Sequence, residues 1–306
     1  MLQVAVGVIS NAAGEILLAQ RKPQAHQGGL WEFVGGKLEC EETAEQALVR
    51  ELDEELGIRV QALTPLIRLT HSYADLDVCL QVFWVNHFTG TPYGREGQAL
   101  QWVKKTELAL YPLPAANKAI VHAVQLPPYY AILDDNAPRL LLAKLTHLLN
   151  SGITLIQARL KRLAAKEVSD FMALATPLCA DYGALLLINS DVATDAQFSV
   201  DGLHLTSTAL LALNQRPSAY RLLAASCHNL TEVLHAQAIG VDFIVISPVQ
   251  PTHSHPNAKP LGWQGFAALA AQCNCVVYAL GGLAKNDLLT AQQAGGQGIA
   301  AISAFL

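Results

Sequence analysis

Three carboxylates, Glu51, Glu54 and Glu55, have the spacing with the plainest chemical meaning in this 306-residue sequence. They lie in the stretch from Gly35 to Ile58, GGKLECEETAEQALVRELDEELGI. Thr43, with Gln46 three residues on, reads as a capping box in which hydroxyl and amide satisfy the first free N–H groups of a helix. Gly57 suits the left-handed position that ends one. Between them Ala44, Leu48, Leu52 and Leu56 form an apolar stripe at helical spacing, so the helix is expected to lie on a core with the glutamates along one edge. Side chains three and four apart are neighbours, so these carboxylates repel one another and weaken the helix unless a cation offsets them. A hard divalent ion, which keeps waters and phosphates in its shell, fits that need, and beside a Gly-rich loop it would make a diphosphate site. A solvated acidic face is the alternative reading.

The whole string is more specific. Gly36, five residues, Glu42, seven residues and then Arg50-Glu51-Leu52-Asp53-Glu54-Glu55-Leu56-Gly57-Ile58 resembles the Nudix box, G-x5-E-x7-R-E-U-x-E-E-x-G-U with U apolar, at every fixed position. The resemblance implies an α/β/α sandwich that hydrolyses phosphoanhydrides. It implies Glu51, Glu54, Glu55 and the Gly35 carbonyl as ligands of Mg²⁺, with Mn²⁺ as the alternative ion. Arg50 would orient Glu51, the expected base, and Glu42 would support the loop-to-helix geometry.

The resemblance narrows to the MutT type, which cleanses the nucleotide pool of oxidised guanine triphosphate and so serves DNA repair. Leu30-Trp31-Glu32-Phe33-Val34-Gly35-Gly36 resembles that group's L-E-F-P-G-G, with Val34 in place of the proline. Glu96-Gly97-Gln98 resembles its E-G-Q, which implies that Glu96 approaches the metal site from a loop. Leu113-Pro114-Ala115-Ala116-Asn117 resembles its F-P-P-A-N, whose asparagine reads the purine edge. An amide carries both donor and acceptor, as pairing with a base edge requires; a helix N-cap is the other use for Asn117. Arg21 resembles the group's phosphate-binding arginine, a surface charge being the alternative. Phe33 is expected in the base pocket or in the core. One departure is Asp75-Leu76-Asp77, where the best-known members carry an arginine near the base.

The totals frame these sites. A chain of 306 residues has room for two domains. With 52% hydrophobic and 15% charged residues, it has the composition of a compact soluble protein. A net charge of −5 gives no long-range attraction for a nucleic-acid polymer, while a small phosphorylated ligand neutralised by a metal is compatible. The six cysteines are scattered, and Cys273-Asn274-Cys275 is too close for a metal knuckle, so buried reduced thiols are expected. The opening MLQVAVGVISNAAGEILLAQR reads as strand, turn, strand rather than a leader, and no apolar run spans a membrane. A cytoplasmic location is the default.

Val4 to Ile9 and Ile16 to Ala19 predict a hairpin, with Arg21 and His26 on the segment leading to Trp31-Glu32-Phe33. Strands are predicted near Leu66 to Tyr73, Val78 to His87 and Leu100 to Val103, and a short helix from Ala116 to Val124. Pro127-Pro128 marks a boundary between a Nudix domain over residues 1–126 and a second domain over residues 129–306. In the second, eight short apolar strands begin at Tyr130, Thr154, Ala184, Gly202, Arg221, Asp242, Val276 and Gly298 and alternate with helical runs. That pattern predicts a TIM-type (β/α)8 barrel. Ligand groups gather at the strand C-terminal ends of that fold, with a phosphate site after strands seven and eight, which places Gly281-Gly282 and Ile302-Ser303 there.

A second resemblance covers Tyr130 to Leu306. SGITLIQARLK, DGLHL, SCHNLTEVLHAQAIGVDFIVISPVQPT, ALGGL and GIAAISAF look like thiamine phosphate synthase and its relative, the thiazole tautomerase. The resemblance implies that Gln157, Arg159 and Lys161 cradle a pyrimidine diphosphate, and that Asn189, Ser226 and Thr252 fall on ligand positions. Two metal aspartates of the synthases are replaced by Ser190, with Asp191 adjacent, and by Ala209; a loop lysine is replaced by His255. Without them a diphosphate leaving group lacks charge neutralisation, so synthase chemistry is expected to be impaired. His228 stands where the tautomerase branch has its acid/base histidine, and a neutral imidazole moves protons near pH 7; a hydrogen-bonded barrel residue is the alternative. His253 and His255 read as parts of a loop. Few residues follow strand eight, so the barrel flank is expected to pack on the first domain or on another subunit, as in a homodimer.

The expected protein is therefore a Mg²⁺-dependent nucleoside triphosphate pyrophosphohydrolase acting on 8-oxo-dGTP. Two alternatives stand beside it: a thiamine-pathway enzyme hydrolysing thiamine or pyrimidine diphosphates, whose barrel binds a thiazole or thiamine phosphate, and a barrel that only senses ligand or dimerises.

Overall fold

The computed structural model describes residues 1–24, 27–72, 76–192, 198–252 and 259–306. His26, Tyr73, Asp75, His253 and His255 lie outside the described residues. The chain divides into two compact units, Met1–Gln125 and Leu126–Leu306.

In the first unit the strands are β1 (Leu2–Ile9), β2 (Ile16–Gln20), β3 (Trp31–Glu32), β4 (Gly35–Lys37), β5 (Arg59–Ser72), β6 (Asp77–Thr89) and β7 (Leu100–Val103); the α-helices are α1 (Ala44–Leu56) and α2 (Asn117–Gln125). They make two sheets, one in the order β4-β1-β6-β5 and one in the order β3-β2-β7. The strands predicted as a hairpin, β1 and β2, belong to different sheets and are joined by a single bridge, Ser10 to Ile16. The reason is burial. Ala5 to Ile9 and Ile16 to Ala19 are buried on both faces, so each strand needs cover on two sides, which a solvent-facing hairpin does not give.

Those two faces are two cores. Val6, Val8, Ile16 and Leu18 pack with Phe33 and Ile120 of α2. Ala5, Ile9, Leu17 and Ala19 pack with Leu48, Leu52 and Leu56 of α1. The result is the helix–sheet–helix layering expected of the first unit. β5 starts earlier than predicted, directly after the α1 stop, because shifts in its register against β6 accommodate Pro65 within the strand.

The second unit is a closed barrel of eight parallel strands: β8 (Tyr129–Asp134), β9 (Leu155–Arg159), β10 (Leu185–Asn189), β11 (Gly202–Leu205), β12 (Leu222–Cys227), β13 (Phe243–Ile246), β14 (Val276–Leu280) and β15 (Gly298–Ala301). All eight predicted strands are present, and β15 closes on β8 with Ile299 opposite Tyr129. The helices are α3 (Pro138–Asn150), α4 (Ala165–Asp181), α5 (Ser207–Ala212), α6 (Leu230–Ala238), α7 (Gly262–Ala270) and α8 (Leu288–Gln293). Tyr130, Phe243 and Tyr278 pack against one another inside the ring. Five of the cysteines are buried and free, and Cys40 is exposed and free. Among the described residues no helix is long and apolar enough to cross a membrane.

Candidate functional site

The acidic edge of α1 is set by both ends of the helix. Thr43 caps it through the reciprocal box with Gln46, and Gly57 ends it at φ 67°. Arg50 then fixes the glutamates. It forms a fork with Glu42, at 3.0 and 2.9 Å, donates to Glu51 Oε1 at 2.8 Å and to the Lys37 carbonyl at 3.1 Å. Planar guanidinium geometry makes such a fork directional. The hydrogen bonds from Arg50 hold the Glu42 carboxyl below its ordinary range.

Gly36 is the other half of this arrangement, because a Cβ there would sit inside the Glu51 carboxylate. Gly35 is similarly pressed on the Ala5 carbonyl of β1. Loop residues 93–98 bind the C-terminal end of α1: Arg95 N–H and the Gln98 amide both donate to the Glu55 carbonyl. That tie brings Glu96 toward Glu55. Burial, reinforced by the charges of Glu51, Glu96 and Glu32, pushes the Glu55 carboxyl up to about 7.

As they stand, Glu51 is turned to Arg50 and Glu96 is paired with Lys22 at 2.9 Å. Glu54 is exposed, with Arg50 at 3.6 Å. Among the described residues no group of three His, Cys, Asp or Glu side chains is already arranged around an ion position. The donor set nevertheless suits a hard divalent cation: oxygens only, mutually repelling, one carboxyl raised by burial and then by its acidic neighbours, and a cradle over Gly36 that a side chain would fill.

Beside this edge lies a cavity of about 480 Å³ whose wall includes Arg21, Glu32, Phe33, Gly35, Gly36, Pro114 and Asn117. Arg21 forms a very short ion pair with Glu32, and burial raises the Glu32 carboxyl while Arg21 pulls it back. Phe33 is 3% exposed and serves both cavity wall and core. Asn117 is 8% exposed, opens α2 and lines the same wall.

The barrel carries a second cavity, of about 370 Å³, at the C-terminal ends of its strands. Gln157, Arg159, Lys161, Asn189, Ser226, His228 and Thr252 line it, together with Gly281 and Ile302; Gly282 and Ser303 are the next residues along. Its cations are already engaged, Arg159 by Asp134 at 2.7 Å and Lys161 by Asp191 at 2.6 Å. Burial works against charge on Asp191, but hydrogen bonds from Lys161 and Thr206 prevail and hold its carboxyl below the ordinary value. Gln157 is 1% exposed and Asn189 4%, and they bond to each other at 2.9 Å. His228 follows β12 with Nδ1 on Glu232 at 2.9 Å, and Glu232 is braced by Asn229.

Comparison with known proteins matches each unit separately. The NUDIX domain family matches residues 5–123, and the thiamine monophosphate synthase family matches residues 129–305. The first unit is 39% identical over 120 residues to the 8-oxo-dGTP diphosphatase of Escherichia coli, covering 39% of this chain and 93% of that protein. It is 41% identical over 123 residues to the CTP pyrophosphohydrolase of the same organism, covering 40% of this chain and 90% of that protein. The second unit is 30% identical over 180 residues to the thiamine-phosphate synthase of Herpetosiphon aurantiacus, covering 58% of this chain and 87% of that protein. The chain belongs to both families, a Nudix unit followed by a synthase-family barrel.

Sequence reasoning about the Nudix unit passed over Glu32, which the motif L-W-E-F-V-G-G contains but whose partner Arg21 sits eleven residues away. In the synthase-family barrel it passed over Glu232, whose spacing of four from His228 was the available signal. It also passed over Tyr130 and His204, which meet across the barrel at 3.0 Å. Strand alternation in Asp201-Gly202-Leu203-His204-Leu205 places His204 inward, but nothing local names its partner.

Proposed function

We propose that the Nudix unit hydrolyses nucleoside triphosphates to the monophosphate and pyrophosphate, with 8-oxo-dGTP as substrate. Glu51, Glu54, Glu55, Glu96 and the Gly35 carbonyl would hold Mg²⁺, with Mn²⁺ as the alternative. The bound ion supplies neutralisation of the phosphate chain and a more acidic water. Arg50 keeps the Glu51 carboxylate oriented, and Glu51 or Glu96 takes the proton from the attacking water. Arg21 binds phosphate, Phe33 supplies an apolar wall for the base, and the Asn117 amide pairs with its edge. The observation that carries the reading is the Glu51 carboxylate over Gly36, locked by Arg50 and adjoining the cavity lined by Phe33 and Asn117.

The test is pyrophosphate release by the intact protein from 8-oxo-dGTP, dGTP, CTP and thiamine diphosphate, with Mg²⁺ or Mn²⁺. The largest kcat/KM is expected for 8-oxo-dGTP. A preference for CTP moves the assignment to a pyrimidine substrate, and one for thiamine diphosphate moves it to the thiamine pathway. Gly36→Ala forces the Glu51 carboxylate aside, and a displacement of that size lowers kcat about 10²-fold. Wild-type turnover by the variant would remove the observation on which the reading stands.

For the barrel we infer binding of a phosphorylated ligand, with proton transfer at His228, rather than thiamine phosphate synthesis. Ser190 and Ala209 stand in place of metal carboxylates, and Asp191 is taken up by Lys161. The Glu232 carboxylate on Nδ1 leaves Nε2 as the atom that exchanges a proton. Synthase turnover by the intact protein would overturn this.

A further inference from the structure

The cations that stand among the acidic groups of the Nudix unit are held in unequal ways. Arg50 is gripped by its fork to Glu42, by Glu51 and by the Lys37 carbonyl, and its side chain is 25% exposed. Arg21 is locked into the turn between β2 and β3. Its N–H donates to the Leu30 carbonyl at 2.8 Å, its carbonyl accepts from Gly29 at 3.1 Å, and its guanidinium pairs with Glu32. Lys22 is held only at its tip, where the ammonium donates to Glu96 Oε2 at 2.9 Å, with the two side chains 51% and 50% exposed. Lysine is a point charge on a flexible stem, and a pair this open to water opens and closes at small cost.

The main chains on either side do not share that freedom. Glu96 N–H donates to Gln98 Oε1 at 2.9 Å, and the same carboxamide donates through Nε2 to the Glu55 carbonyl at 3.2 Å. Lys22 enters a turn closed by Gly28, where a Cβ would meet the Pro23 carbonyl at 2.3 Å and the Lys22 carbonyl at 2.7 Å. With both backbones fixed, Glu96 changes partner by rotating its own side chain. The acidic edge is within reach of both groups. Burial first, then Glu51 and Glu96, raise the Glu55 carboxyl and Lys22 pulls it back, so carboxylate and ammonium act on the same edge.

We propose that Lys22 is the built-in counter-ion of Glu96, displaced when a divalent cation takes that carboxylate and then available to an anionic oxygen of the nucleotide's phosphate chain. The two events make opposite demands on one side chain. An ammonium and a divalent ion repel each other and compete for the same carboxylate, so Lys22 weakens binding of the ion alone. Once the ion holds Glu96, the ammonium beside Arg21 meets a triphosphate whose charge the ion offsets only in part, so Lys22 strengthens binding of the nucleotide. The exchange therefore couples ion and nucleotide through a residue outside the acidic helix. The proposal rests on the hydrolase reading of the Nudix unit.

The test uses the intact protein, Mn²⁺ as the ion and an α,β-imido analogue of 8-oxo-dGTP that cannot be hydrolysed, with both affinities read by calorimetry. Lys22→Met is expected to tighten Mn²⁺ alone about threefold. The same variant is expected to weaken the analogue at saturating Mn²⁺ about tenfold. Lys22→Arg keeps the charge and stays close to the wild type in both. In a Glu96→Gln background the contested carboxylate is gone, and Lys22→Met no longer tightens Mn²⁺. A merely structural role for Lys22 would move both affinities the same way, in step with the melting temperature. Mn²⁺ affinity that is unchanged or weaker in Lys22→Met overturns the proposal, as does an unchanged affinity for the analogue. Wild-type protein that binds no Mn²⁺, or no analogue beside it, overturns the hydrolase reading as well, which sets that failure apart.

Discussion

Turnover of 8-oxo-dGTP is expected to fall about 10³-fold in Glu54→Gln, with the protein unfolding no earlier than the wild type. Two observations give the pair of effects opposite directions. The Glu54 side chain is 62% exposed and its approach to Arg50 is loose at 3.6 Å, so it contributes little to folding. It shares a helix edge with Glu51 and Glu55, where burial first, and then the charges of Glu51, Glu96 and Glu32, push the Glu55 carboxyl up to about 7. Removing a negative charge from that helix edge is expected to lessen like-charge crowding where no cation is bound, and, on the proposed assignment of Glu54 as a ligand, to take an oxygen donor from the ion. A loss of 10³ corresponds to about 4 kcal/mol of transition-state stabilisation, far more than an exposed ion pair supplies. The measurement is kcat/KM at saturating Mg²⁺ beside a thermal melt. Activity within tenfold of the wild type would remove Glu54 from the ion's ligands.

The second large effect is on acid stability and belongs to the barrel. His204 is held at about 3 in the folded state, by burial first and then by Arg159 and Lys161, against an unfolded value of 6.5. Its folded value is depressed, so the neutral ring contributes stability that is whole above pH 6.5. That stability is lost as pH falls toward 3, because only the unfolded chain takes up the proton. At about 1.4 kcal/mol per pH unit, the loss across this window is roughly 4 kcal/mol, a large part of a domain's 5–15 kcal/mol. His204→Gln does not titrate there. Its unfolding free energy is expected to fall less steeply than that of the wild type between pH 6.5 and 3, the difference in slope being one proton. Denaturant unfolding of the barrel at several pH values checks this, and parallel curves for the two proteins would contradict it.

The parts of the molecule legible in its sequence are those encoded by local spacing. Capping at Thr43, the stripe of Leu48, Leu52 and Leu56 and the stop at Gly57 all concern one helix, and the helix is present with those features. The eight barrel strands were legible because each is a short apolar run between turns. The pairing of β1 was not, since strands buried on both faces carry no alternation to say which neighbour they take. The hydrogen-bond chain from Asn189 through Gln157, Tyr130 and His204 to Ser226 was not legible either. Its members stand on different strands, and their contacts arise only when the ring closes. Gln157 lines the barrel cavity and also bonds Tyr130 at 3.0 Å and Asn189 at 2.9 Å, partners on other strands that its local sequence does not name.

The seam between β15 and β8, with Ile299 opposite Tyr129, has a consequence for biosynthesis. Every other neighbouring pair in the ring joins strands consecutive in the chain. The last pair waits for residues near Ala301 to leave the ribosome, while the Nudix unit has its full set of strands long before. During translation the nascent barrel is an open curved sheet with two unpaired edges. Those two edges are where mispairing with another strand is open to the chain until β15 arrives.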